Sequence, residues 1–169
     1  MTVHHPLPDS HYTIVSQASD YFVRRKPFET LTLLPKGVFT LDRTPKGDEH
    51  VRYDWNFLWQ LEQIHNGLYK LKVKGAPVGN RGGHLYAFLS EHDQHSISEW
   101  RLVPVPQVGK DAYLIELHDQ SIGWVASAEK APKDKEIEVK RIIVEPSQPP
   151  KYPPTEVFII KPAKHEGEQ

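Results

Sequence analysis

Three short segments of the chain alternate apolar and polar residues, and each begins with a tyrosine. The three tyrosines are Tyr12 (YTIVSQ), Tyr69 (YKLKVK) and Tyr113 (YLIELH). Further along each third of the chain, a second segment of this kind begins with a large aromatic residue. These aromatic residues are Trp59, Trp100 and Phe158. Alternation is the pattern of strands with one buried face, and its recurrence about every 45 to 55 residues indicates a fold built from three similar all-β repeats.

The residues between these landmarks predict twelve strands in three groups of four. The predicted ranges are 11–17, 21–25, 38–41 and 57–63, then 69–74, 76–80, 85–89 and 99–105, then 112–117, 122–127, 137–144 and 157–161. Turn residues separate the strands, and no long stretch has a helical period. Three similar sets of four strands predict a β-trefoil, in which six strands form a barrel and six form hairpins that cap it. A two-sheet sandwich is the alternative, although it would not require a threefold spacing.

The length of 169 residues fits one domain with one core. We expect a single β-trefoil domain over residues 11–162. Residues 1–10 and 163–169 are polar and without periodicity, so we expect flexible N- and C-terminal tails there.

Charge and cysteine content narrow the choice of partners. The chain has 21 basic and 22 acidic residues and no basic stripe, so we expect neither a nucleic-acid partner nor a membrane. The lack of cysteine excludes disulfides, thiolate catalysis and cysteine-bound zinc. The first residues lack the apolar core of a signal peptide. We therefore expect a cytoplasmic protein, for which tissue damage is a route of release. Separately, we expect a monomer.

The residues that could support catalysis or hold a metal all have simpler interpretations. His92 and His95 lie three residues apart in a polar segment, predicted to be a loop, with no third ligand in sight. No serine lies in a strained glycine turn, and the glycine-rich segment 80–83 predicts a hairpin turn rather than a phosphate-binding loop. The sequence thus predicts no enzyme, no metal and no cofactor.

Carbohydrate binding is the main alternative function, because many β-trefoils are lectins. Ricin-type lectins repeat a Gln-x-Trp motif at each closing strand. The equivalent triplets here are FLW at 57–59, SEW at 98–100 and EVF at 156–158. The aromatic residue is kept each time and the glutamine never is, which favours a role in the core for these aromatic residues.

A loop framed by Pro27 and Pro35 is the first candidate binding segment. Leu31 lies at its centre between Thr30 and Thr32, four residues from each proline. Threonine favours an extended backbone, and an extended leucine on a stiff loop is what a serine protease accepts as substrate. Alternatively, the leucines at 31, 33 and 34 are ordinary strand and core residues.

A second proline-rich loop covers residues 145–155. Its prolines predict a polyproline-like path with an exposed lysine, Lys151, near the centre. A lysine held in this way could enter the acidic pocket of a trypsin-like protease. The alternative is a rigid connection into the last strand.

Several segments resemble the mushroom β-trefoil serine protease inhibitors of the cospin and cnispin group. These segments are LLPKGVFTL at 33–41, GAPVG at 75–79, YAFL at 86–89, IGWV at 122–125 and PPKYPPTEVF at 149–158. The resemblance spans residues 11–162. It implies a fungal, non-secreted inhibitor of serine endopeptidases with a defensive or regulatory role.

The resemblance also implies where the reactive residues lie. It places one reactive loop at Glu29, Thr30, Leu31 and Thr32, and a second at Pro150, Lys151 and Tyr152. Leu31 replaces the basic residue of the family's first loop, which favours chymotrypsin-, elastase- or subtilisin-like targets there. Lys151 keeps a basic residue, which suits trypsin.

A related mushroom group inhibits papain-like cysteine proteases through glycine-rich early loops. The first loop of this chain is instead bulky and rich in proline. The resemblance to this second group is therefore the weaker one.

Overall fold

The computed structural model describes residues 6–26, 28–41, 58–118, 121–127 and 135–163. Within these ranges the chain forms strands and three short 3₁₀ helices, so the prediction of an all-β fold is confirmed. The helices are His65–Gly67, Glu91–Ser96 and Pro154–Glu156. None of them is long enough to span a membrane.

The strands are β1 (Ser10–Ser16), β2 (Phe22–Arg24), β3 (Lys36–Gly37), β4 (Phe39–Leu41), β5 (Trp59–Gln63), β6 (Tyr69–Val73), β7 (Ala76–Arg81), β8 (His84–Ala87), β9 (Trp100–Pro104), β10 (Ala112–Leu117), β11 (Ile122–Val125), β12 (Lys135–Glu136), β13 (Glu138–Arg141) and β14 (Phe158–Pro162).

Six of these strands pair antiparallel in a closed ring. Around the ring, β1 pairs with β14, β14 with β10, β10 with β9, β9 with β6, β6 with β5, and β5 with β1 again. The three strands that carry the repeated tyrosines alternate in this ring with the three that begin with a large aromatic residue. The sequence pattern is therefore the pattern of a barrel without sheet edges.

Trp124 lies at the centre of the core. Its ring is 5.3 Å from that of Trp59 and 5.7 Å from those of Trp100 and Phe158, measured between centroids. All four side chains are fully buried. The large aromatic residues that begin the closing strands are thus core residues, as predicted. Their tilted and edge-on contacts are the arrangements that aromatic rings prefer.

Three main-chain hydrogen bonds join the capping strands in a closed circuit. The N–H of Val38 donates to Leu85 O at 3.2 Å, that of Leu85 to Ile137 O at 3.0 Å, and that of Ile137 to Val38 O at 2.9 Å. All three residues are fully buried. The circuit explains the main difference from the predicted twelve strands. Val38 separates β3 from β4 and Ile137 separates β12 from β13, so the described part has fourteen.

Residues 7–9 are attached to the barrel, although the sequence places them in a flexible tail over 1–10. The Tyr69 hydroxyl donates to Leu7 O and accepts from Leu7 N at 2.8 Å, and Leu7 packs against the core. The Tyr12 hydroxyl donates to Pro8 O at 2.8 Å, and the main-chain N–H of Gln63 donates to Asp9 Oδ1 at 2.8 Å. Burial raises the pKa of the Tyr69 phenol to about 12. The predicted tail residues 1–5 and 164–169 lie outside the described residues.

The tryptophans of the core differ in how their indole N–H groups are satisfied, and this predicts a difference in stability. Trp59 Nε1 donates to Val23 O at 2.8 Å, whereas Trp124 Nε1 has no acceptor among the described residues. Trp59→Phe should therefore lower the free energy of unfolding more than Trp124→Phe, by about 1 kcal/mol. Denaturant unfolding of the two variants measures this difference. An equal or larger loss for Trp124→Phe would contradict it.

Candidate functional site

The loop between β2 and β3 exposes four large apolar side chains. Leu31 is fully exposed, Phe28 is 90% exposed, and Leu33 and Leu34 are 63% and 67% exposed. None of them lies in a strand, so the alternative that these leucines are strand and core residues is wrong. Apolar side chains gathered on one exposed segment are typical of a binding surface.

An ion pair anchors the N-terminal side of this loop. Arg25 Nη2 and Nε contact Glu29 Oε1 and Oε2 at 2.6 and 3.1 Å, which is the bidentate geometry that guanidinium and carboxylate groups favour. The Arg25 side chain is only 5% exposed, and its Nη1 donates to Val73 O of β6 at 3.3 Å. Lys74 Nζ lies 3.8 Å from the same carboxylate. Glu29 is thereby bound to the barrel wall.

A buried lysine holds both neighbours of Leu31. Lys36 Nζ donates to Thr30 O at 3.0 Å, to Thr30 Oγ1 at 2.8 Å and to Thr32 Oγ1 at 3.3 Å. An ammonium group has three donors, and each of them has an acceptor here. The two threonine hydroxyls are also 3.0 Å apart and share a hydrogen bond. The support comes from inside the protein, because Lys36 is buried and its strand β3 pairs with β8.

Leu31 itself is left available for a partner. The chain bends at Leu31 and Thr32. Within the described residues, no hydrogen bond uses the main-chain N–H or C=O of Leu31. Of the two framing prolines, Pro35 is half-buried and Pro27 lies outside the described residues. Among the described residues, the contacts that hold the loop are those of Lys36 and of the Arg25–Glu29 pair.

The second proline-rich loop closes on itself. The N–H of Glu145 donates to Lys151 O at 2.8 Å, and the N–H of Lys151 donates to Glu145 O at 3.1 Å. Inside the loop, the Ser147 hydroxyl donates to Pro149 O at 2.7 Å. The chain thus reverses between residues 145 and 151, and the predicted polyproline-like path is wrong.

The residues of the second candidate site are held in different ways. Gln107 Nε2 donates to Pro150 O at 2.6 Å, and Tyr152 packs against an apolar cluster beneath the loop. The Lys151 side chain is exposed, but its main-chain N–H and C=O both pair with Glu145. A protease cleft pairs with the main chain of its substrate, so the bridge would have to open before Lys151 could bind in that way.

Glu156 fixes the base of the second loop. Its Oε2 accepts from the N–H of Ile143 at 2.6 Å, and its Oε1 has no hydrogen-bond partner among the described residues. Burial raises the pKa of this carboxyl group, although the bond from Ile143 and the charge of Lys140 act in the opposite direction. The carboxylate ties the start of the loop to its end.

The histidine pair belongs to a different segment of the chain from both loops. His92 and His95 are exposed on the 3₁₀ helix Glu91–Ser96, which the sequence predicts as a loop. Asp93 pairs with Arg81 at 3.2 Å. Among the described residues, no three potential ligands come close enough to hold a metal ion.

The glycine-rich segment 80–83 forms the predicted hairpin turn between β7 and β8. Gly82 and Gly83 have φ angles of +63° and +85°. Both values lie in the region that glycine adopts without strain. Asn80 Oδ1 accepts from the N–H of Gly83 at 3.0 Å and closes the turn.

The residues that support the first loop were not identified by sequence reasoning. Lys36 directly follows Pro35, the second framing proline, and nothing in its neighbourhood marks it as buried. Arg25 lies at the end of a predicted strand. An acidic residue four positions after Arg25, namely Glu29, is a weak signal for the ion pair between them.

Known proteins similar to this chain were found in three comparisons. A model of the family described as peptidase inhibitor I66 matches residues 5–162. A serine protease inhibitor from Lentinula edodes is 33% identical over 138 residues, which cover 82% of this chain and 87% of that protein. The high-resolution structure of a proteinase inhibitor from Coprinopsis cinerea superposes with a TM-score of 0.78 at 28% identity, covering 92% of this chain and 99% of that one.

Structures with other functions share the fold. The ricin B-like lectin of Macrolepiota procera, solved with lactose, has a TM-score of 0.64 at 11% identity and covers 96% of this chain and 99% of its own. At that identity the likeness concerns the fold alone. It carries no sugar site over to this chain, whose closing triplets lack glutamine.

Proposed function

The chain belongs to the peptidase inhibitor I66 family of mushroom inhibitors and is not an enzyme, and on this premise we propose that it inhibits serine endopeptidases by presenting Leu31 as a substrate-like residue. Glu29, Thr30 and Thr32 form the rest of the reactive loop. The Leu31 side chain enters the specificity pocket of the protease, and the main chain beside it pairs with the cleft.

The observation that carries this proposal is the contrast between Leu31 and its neighbours. Leu31 is fully exposed, while Thr30 and Thr32 are bound to the ammonium group of Lys36. A loop fixed in this way loses little conformational entropy on binding, which favours a long-lived complex. Since the supports stand on both sides of Leu31, a cut at this residue would leave both new ends in place for religation.

The chemistry of Leu31 indicates the class of target. A leucine side chain suits an apolar pocket, and its burial contributes about 1.5–3 kcal/mol. Chymotrypsin-, elastase- and subtilisin-like enzymes have such pockets, whereas a trypsin-like pocket is acidic. The Lys151 loop is a secondary proposal for trypsin, and it requires the Glu145–Lys151 bridge to open.

We also assign the architecture to the β-trefoil. The ring alternates three tyrosine strands with three strands that begin with a large aromatic residue, the circuit has three hydrogen bonds, and three aromatic rings surround Trp124. The similarity to the Coprinopsis cinerea inhibitor supports this assignment. A monomeric state and a cytoplasmic location stay predictions from the sequence.

An inhibition panel tests the assignment of the reactive residues. Leu31→Asp should abolish inhibition of chymotrypsin, elastase and subtilisin, because a carboxylate is costly to bury in an apolar pocket. Lys151→Ala should leave the inhibition of these three enzymes unchanged and should weaken only the inhibition of trypsin. The measurement is the inhibition constant for each enzyme.

Two results of this panel would contradict the proposal. If Leu31→Asp inhibits every enzyme as the wild type does, Leu31 is not the reactive residue. If the wild-type protein inhibits no serine protease, serine protease inhibition itself is wrong, and a glycan-binding screen tests the lectin alternative.

The lysine beneath the loop provides a second prediction. Lys36→Met keeps the length and burial of the side chain but removes its three hydrogen bonds. The inhibition constant should rise by about 10-fold or more, because the loop loses its preorganisation. The loop should also be cut faster, so that the variant behaves as a substrate.

Lys110→Met is the matched control, since Lys110 is exposed and lies outside both loops. It should inhibit as the wild type does. An unchanged inhibition constant for a correctly folded Lys36→Met variant would show that the lysine does not support the loop.

A further inference from the structure

We propose that the target is a protease with two apolar pockets, and that Phe28 fills the second pocket while Leu31 fills the first. This inference rests on the proposed function, because it takes Leu31 as the residue in the specificity pocket. It adds a second anchor and narrows the class of enzyme.

Phe28 has the exposure that such an anchor needs. The side chain is 90% exposed, which is unusual for a phenylalanine, and it lies three residues before Leu31. A substrate bound in extended conformation spans about 10 Å over three residues, so side chains at this sequence separation can reach two distinct pockets of a cleft. An aromatic side chain in a pocket is a common binding hot spot.

The two residues between these anchors are held against the protein. Glu29 pairs with Arg25 at 2.6 Å, and Thr30 binds Lys36 through both its carbonyl and its hydroxyl oxygen. Phe28 and Leu31 are therefore left as the outward apolar groups on this side of the loop. A partner that approaches it meets two anchors with a restrained connection between them.

The charges around the loop also favour an apolar cleft. Arg25 is nearly buried and paired with Glu29, and Lys36 is buried under the threonines. Lys26 Nζ lies 4.7 Å from the centre of the Phe39 ring. None of these three cationic side chains is fully exposed, as the Leu31 side chain is. The loop therefore suits a protease whose specificity pocket is not acidic.

A serine endopeptidase of the subtilisin type meets both requirements. Its cleft takes an apolar residue at the cleaved bond and a second one three residues before it. A chymotrypsin-type cleft relies mainly on its one deep pocket and would use Leu31 alone. The two enzymes therefore serve as probes that distinguish one anchor from two.

The test compares inhibition constants for subtilisin and chymotrypsin. The variants are Phe28→Ala, Leu31→Ala, the double variant and Ile143→Ala. Phe28→Ala should weaken inhibition of subtilisin by about 10- to 100-fold, the range expected for losing a buried aromatic anchor, and should leave chymotrypsin nearly unaffected. Leu31→Ala should weaken both, and the two effects on subtilisin should multiply, because the anchors do not touch.

Ile143→Ala is the matched control. Ile143 is 63% exposed, and only its main-chain N–H takes part in the base of the second loop, so removal of its side chain should change neither constant. An equal loss for Ile143→Ala would mean that Phe28 contributes only unspecific apolar surface, and this would overturn the proposal.

The remaining outcomes separate this inference from the proposed function. If Phe28→Ala leaves subtilisin inhibition unchanged while Leu31→Ala weakens it, the second pocket is wrong and the reactive residue stands. If Phe28→Ala weakens both enzymes equally, Phe28 acts on the loop rather than in a pocket, and the inference is overturned. If neither single variant has an effect, the proposed function fails as well.

Discussion

The circuit of main-chain hydrogen bonds through Val38, Leu85 and Ile137 is the constraint on which the presentation of the loop depends. Strand β3 has only two residues, Lys36 and Gly37, and it would be poorly fixed by its pairing with β8 alone. The circuit holds Val38, the next residue, in the fully buried centre of the cap. Lys36 is thereby placed so that its ammonium group reaches Thr30 and Thr32, and these threonines in turn fix Leu31. The buried hydrogen-bond circuit is thus connected to the exposed Leu31 through Lys36 and the two threonines.

The core and the loops have separate roles: the core supports the structure, and the loops are the candidate binding segments. The aromatic residues around Trp124 and the closed ring of strands provide a rigid body that has no specificity of its own. The same fold therefore serves a lectin and a proteinase inhibitor among the similar structures. We propose that specificity lies in the loops, where the three repeats differ. The proposed replacement of the family's basic residue by Leu31 would therefore require no change in the scaffold.

The sequence predicts the barrel better than it predicts the loops. The tyrosines and large aromatic residues recur at fixed places, and strand alternation depends only on which face is buried. The breaks at Val38 and Ile137 leave no such trace, because their N–H and C=O groups bond around a circuit that joins the three repeats rather than within the ladder of one strand pair. Lys36 was missed for a similar reason: lysine is usually a surface residue, and its burial depends on acceptors that only the folded loop brings together. The prolines of the second loop predict stiffness, but the direction of the chain is set by the Glu145–Lys151 bridge.

The central claim is that a protease binds the segment around Leu31 as it binds a substrate. The most direct test is to incubate the protein with a catalytic amount of subtilisin until the intact and cut forms reach equilibrium, and to locate the cut by mass spectrometry. The account predicts one cut, between Leu31 and Thr32, in a protein that stays folded and still inhibits, because the Arg25–Glu29 pair and Lys36 hold the two sides in place. Inhibition accompanied by a cut elsewhere, or by no cut in this loop, would contradict it.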